Sequence, residues 1–98
     1  MKYFLTKGSI YVTPKFKEKY SIPKDISQFD IVCKAKSKAE ANRKAEAVGL
    51  GKNFFSSGFV SETSNQDQVN TADKYEIVIG YSGRGIQINT DIREAIFD

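Results

Sequence analysis

The chain has 98 residues, enough for a single domain (1–98) with one modest core and too few for a second. Ten Ile and twelve Phe plus Tyr supply that core and exclude a disordered chain, and no run approaches the ~18 apolar residues of a membrane span. The formal net charge of +3 hides an asymmetry: residues 1–49 carry eleven cationic and five acidic side chains, residues 50–98 four and seven, so any polyanion surface must come from the first half.

Residues 2–13 alternate, with Phe4, Thr6, Gly8, Ile10 and Val12 on one side and Tyr3, Leu5, Lys7, Ser9 and Tyr11 on the other. Large residues on both sides predict one long strand or a bulge at Gly8, in preference to a Lys7-Gly8 hairpin turn. This start lacks the apolar stretch and cleavage site of a signal peptide. Pro14 and Pro23 bracket residues 14–28, which lack clean periodicity and read as a long connection. Phe29, Ile31, Cys33 and Ala35 alternate with polar neighbours and predict a second strand.

Ser37-Lys38-Ala39-Glu40 matches a capping box and opens a helix over 38–48. Its buried seam is Ala41, Ala45 and Val48; Arg43 and Lys44 lie beside Glu40 and Glu46 on a neutralised solvent face. Gly49 reads as the helix stop and Leu50 as its closure. Residues 53–61, with Phe54, Phe55, Phe59 and Val60, predict a strand bent at Gly58. Residues 62–73 are polar and read as a mobile loop. Tyr75, Ile77, Ile79 and Tyr81 form a strand, Ser82-Gly83-Arg84-Gly85 a hairpin connection, and Ile86 to Asn89 the return. Asp91 opens a short terminal helix with Ile92, Ala95 and Ile96 inward. The expected fold is α+β: a mostly antiparallel sheet of four to five strands, the 38–48 helix across one face, and a short C-terminal helix.

Catalytic equipment is absent from the sequence. There is no His, and Cys33, the one cysteine, sits in a strand pattern as a buried thiol. A single cysteine forms no intrachain disulfide, which points to a reducing cytoplasm. Asp67 and Asp73 do not reproduce calcium-loop spacing, so no metal site and no cofactor is expected. Gly49-Leu50-Gly51-Lys52 follows a helix and precedes Asn53, unlike a phosphate loop.

The binding signal is Lys15-Phe16-Lys17-Glu18-Lys19-Tyr20 with Lys24 beyond, and Arg84 at a hairpin tip. Lysines beside rings suit phosphates and bases, or steer and anchor a protein partner. From the 38–48 helix onward, the order α–β–β–β–α resembles the double-stranded-RNA-binding domain. That family's second helix is basic, whereas Asp91–Asp98 here is acidic and short, so its RNA-binding part is missing. Lys, Ile, Asn, Phe and Tyr, with AT-rich codons, total 39 residues against 19 of Gly, Ala, Arg and Pro, which indicates a low-GC bacterium or its phage. A short Lys-rich chain of this kind is similar to small phage-encoded proteins that block bacterial defences, anti-CRISPR proteins among them.

The expected function is a cytoplasmic, non-enzymatic binding protein that inhibits a host defence nuclease by occupying a protein or protein–nucleic-acid complex, without a membrane role. The alternatives are single-stranded nucleic-acid binding through the same residues, and a subunit of a homo-oligomeric assembly joined at sheet edges.

Overall fold

The first expected strand is β1 (Lys2–Ile10), flanked on both sides in a sheet of order β3-β1-β2-β4-β5. Helices pack on both faces of that sheet, which is why both faces of β1 carry large residues. The structure, a computed structural model, describes residues 1–48 and 54–97, and among these all neighbouring strands pair antiparallel. The other strands are β2 (Gln28–Ala35), β3 (Phe54–Glu62), β4 (Ile77–Gly83) and β5 (Ile86–Asp91). The Gly49 stop, the Leu50 closure and the Gly49–Asn53 junction lie outside the described residues.

Thr6 pairs with Val60 but Gly8 with Ser56, so three residues of β3 stand opposite Lys7 alone. The extra residues lie on β3 around Gly58, where a bend was expected, whereas β1 pairs with β2 without a break through Gly8, so the bulge belongs to β3 and not to Gly8. The β4–β5 hairpin closes through Arg84 and Gly85, with φ of 52° and 78°. Two consecutive positive φ values match the twist of a two-residue hairpin, and Gly85 adopts its value without a Cβ penalty.

Four helices, rather than two, accompany the sheet among the described residues: α1 (Pro14–Lys19), α2 (Lys38–Ala47), α3 (Gln66–Lys74) and α4 (Ile92–Ile96). In α2, Ser37 accepts from the Glu40 amide at 3.2 Å, and Ala41, Ala45 and Val48 are buried as expected. Lys44 lies 3.5 Å from Glu40 in the i,i+4 pair.

Two helices correct the sequence reading. The connection expected over 14–28 contains α1, because Thr13 caps the Phe16 amide at 3.2 Å and Pro14 takes the first turn, where its missing N–H costs nothing. Ser21 ends α1 in the left-handed region at φ 57°; its amide reaches Glu18 O at 3.2 Å and that of Ile22 reaches Lys17 O at 2.8 Å. This is a Schellman stop with serine in the usual glycine position. The mobile loop expected over 62–73 contains α3. Asn65 caps the Gln68 amide at 3.1 Å, and the buried Gln68 amide oxygen accepts from Thr63 Oγ1 at 2.7 Å. The order α2-β3-α3-β4-β5-α4 therefore also departs from the double-stranded-RNA-binding arrangement.

The sheet is used on both faces. The first face carries Phe4, Phe29, Ile31, Cys33, Ile79 and Ile88, packed with Phe16 of α1, the alanine seam of α2, and Ile92 and Ala95 of α4. On the second face Val32 and Val78 pack with Ala72 of α3, with Tyr3, Leu5 and Tyr75 at the margin. Asp73 fastens α3 by accepting from Tyr3 Oη and by pairing with Lys34 Nζ, both at 2.6 Å. Opposed residues of an antiparallel sheet share a face. The row Leu5–Val32–Val78 is thus apolar and covered, while the next row, Lys7–Asp30–Gly80–Asn89, is polar. Among the described residues no helix is long and apolar enough to cross a membrane.

Candidate interaction surface around the first helix

Helix α1 leaves β1 at one end of the sheet and turns its Phe16 side chain inward. Phe16 is 3% exposed and belongs to the main core, so it is no exposed anchor, contrary to the sequence expectation. Its ring meets Tyr20 at 4.9 Å between centroids. Tyr20 is half-buried, and its hydroxyl donates to Glu94 Oε1 at 2.7 Å. Lys19 pairs with the same oxygen, and Thr90 Oγ1 donates to Oε2 at 2.8 Å. Lys19 first, then Tyr20, holds the Glu94 carboxyl below the usual glutamate range. Burial, then Glu94, raises the Tyr20 phenol. Glu94 therefore locks α4 onto α1 and holds the Tyr20 hydroxyl, while the paired Lys19 side chain stays 61% exposed.

Of the remaining lysines, Lys15 and Lys24 are exposed, and neither has an ion pair among the described residues. Lys17 donates from Nζ to the Lys24 carbonyl at 2.8 Å, which draws the Lys17 stem against the following loop. Beside this bond opens a cavity of about 640 Å³ lined by Tyr11, Val12, Pro14, Lys17, Glu18, Ile22 and Lys24. Tyr11 is 62% exposed, so a ring stands at this groove beside two ammonium groups. A smaller hollow of about 220 Å³ lies between α1 and α4, where Phe97 is 60% exposed.

Arg84 is exposed at the β4–β5 tip. Gly80 pairs with Asp30, so β4 runs on toward the start of β2 and the tip lies at the α1 end of the sheet. The other lysines of the first half are elsewhere. Lys24 precedes β2 while Lys36 and Lys38 follow it, and eight strand residues separate the groups by about 26 Å. Lys34 and Lys44 are matched by Asp73 and Glu40. The basic half of the sequence is therefore not one basic face.

The structure brings Lys15, Lys17 and Lys24 together around α1 and adds Tyr11, Ile22 and Phe97, which the sequence reading did not select. The usable signal was Thr13-Pro14: a cap followed by proline forces the chain to turn, leaving Tyr11 outside the strand. Among the described residues no group of three or more His, Cys, Asp or Glu is gathered to hold a metal. Cys33 is 1% exposed, its Sγ 4.0 Å from the Ala41 carbonyl, and burial raises its thiol. Such a thiol is closed to substrates. No protein-family model matches the sequence, and neither a curated protein nor a solved structure matches it.

Proposed function

We propose that the protein is a small non-enzymatic binding protein that acts by occupying a surface of another protein through the α1 groove. The observation that supports this reading is the open groove of Tyr11, Val12, Pro14 and Ile22, with Lys17 and Lys24 at its rim. An exposed ring and an apolar floor receive apolar side chains; the ammonium groups favour acidic neighbours and speed encounter. A carboxylate-bearing, partly apolar protein segment suits this chemistry. Single-stranded nucleic acid suits it less well, since Phe16 lies in the core, Tyr20 is tied to Glu94, and the lysine groups are split between two ends of the sheet.

The narrower proposal is an inhibitor of a bacterial defence nuclease, supported by the low-GC composition and small size. The test compares the wild-type chain with a Tyr11→Ser, Lys24→Glu variant, both exposed and outside the core. Each is immobilised and exposed to host extract, with and without prior nuclease treatment. A polypeptide retained by the wild type and released by the variant is the expected result. If it is a nuclease, titrating the wild-type chain should suppress its DNA cleavage and the variant should not. Equal retention by both proteins, or retention that vanishes once nucleic acid is digested, would refute the protein-partner reading.

A further inference from the structure

The second face of the sheet is covered only in part. Helix α3 lies over the Leu5–Val32–Val78 row and stops short of the row Lys7–Asp30–Gly80–Asn89, beyond which Ser82 pairs with Gln87. Gly80 keeps this row low: a Cβ there would stand 2.7 Å from Asn89 Oδ1 and 3.6 Å from Asp30 Cβ. Above it lies a cavity of about 480 Å³ that reaches Asp25 and Lys7, adjoined by one of about 100 Å³ that reaches Asp67 at the start of α3. Asp30 and Ser82 line both, so the two form one trough.

Its charge is lopsided. Asp25, Asp30 and Asp67 face it against Lys7, and its other polar lining offers hydroxyl and amide groups. Asp30 is half-buried, and no hydrogen bond to its carboxylate is found among the described residues. A partly desolvated carboxylate is favoured by a cation placed against it, more so than one in open water. The trough shares no lining residue with the α1 groove, so it is a second surface of opposite sign.

We propose that this trough binds the cationic side chain, arginine or lysine, of an extended segment of a partner protein, with Asp30 as counter-ion and the Asn89 and Ser82 side chains as further hydrogen-bonding groups. Burial raises the Asp30 carboxyl while Lys7 opposes the rise, and an arriving guanidinium would act in the same sense as Lys7. Arginine fits best, because its planar fork reaches a carboxylate and a neighbouring oxygen together.

The test uses the full chain, isotope-labelled, titrated separately with blocked Gly-Arg-Gly and blocked Gly-Glu-Gly peptides. The arginine peptide should shift the amide signals of Asp30, Gly80 and Ser82 saturably, with a Kd of about 1 mM, as expected for one small cationic ligand. Raising salt should weaken this binding. Asp30→Asn, nearly isosteric and checked by thermal unfolding, should weaken it at least ~5-fold, and Asp67→Asn, on the exposed first turn of α3, about 2-fold. Equal shifts by the glutamate peptide, no saturable shift by the arginine peptide, or unchanged affinity in Asp30→Asn would each overturn the proposal. None of these results depends on the α1 groove.

Discussion

The two faces of the sheet are built by different rules. On the first, the row through Thr6, Ile31 and Ile79 is closed by three helices, and Ile31 is 0% exposed. On the second, burial runs to Val32 and Val78 and ends one row later at Asp30. A strand residue's neighbours across the sheet decide whether its row is worth covering. One face therefore supplies most of the apolar burial while the other keeps a polar strip open.

Five substitutions would break or sharpen this contrast. Ile31→Ala on the closed face should cost about 3 kcal/mol and lower Tm by at least ~12 °C, whereas Gln87→Ala on the open strip should cost under ~0.5 kcal/mol. Equal losses in urea unfolding would dissolve the distinction. Glu94→Gln, which loosens the helices closing the first face, should cost about 1 kcal/mol at pH 7. Glu94 titrates below its usual 4.5, so its contribution is present above that value and fades as pH falls through the depressed folded value. Wild type and variant should therefore converge in acid; a gap that persists at pH 2 argues against the charge as cause.

Thr6 is the exception on the closed face: it is fully buried, and its Oγ1 has no hydrogen-bond partner in the described structure. Thr6→Val keeps the shape and removes the unpaired hydroxyl, so it should be neutral or stabilise by up to ~1 kcal/mol; a clear loss would reveal a partner for that oxygen. Asp30→Asn is its counterpart on the open strip. An acid whose folded pKa is raised lowers stability above that value, and the deficit disappears as protonation sets in. The variant should gain about 0.5 kcal/mol at pH 7 and nothing at pH 3. A loss at pH 7 would show the carboxylate to be structurally required.

What the residues disclose follows the range of each signal. The Ser37 cap of α2, the alternation through Phe29–Ala35, the 84–85 turn and the Asp91 cap are local, and all appear where expected, although the Glu40 carboxylate pairs with Lys44 rather than completing a capping box. Helix α1 escapes because it has only six residues and ends on Ser21 where glycine is the usual marker. Helix α3 escapes because its buried positions are Gln68 and Ala72, and a buried glutamine satisfied by Thr63 carries no hydropathy signal. The same limit applies to the sites. Phe16 and Tyr11 are both aromatic, but only the turn at Thr13-Pro14 decides which lies inside. The trough depends on Lys7, Asp30, Gly80 and Asn89 standing side by side, and such register joins residues up to 82 positions apart.

Cys33 lies between β2 and the alanine seam of α2, and it is the single thiol of the chain. A thiol-reactive reagent can reach that sulfur only when the helix lifts from the sheet or the whole fold opens. The rate of labelling in native buffer, set against that of the unfolded chain, is therefore a direct gauge of the free energy of that opening. The protein carries its own reporter at the centre of its closed face, without an added dye or engineered residue.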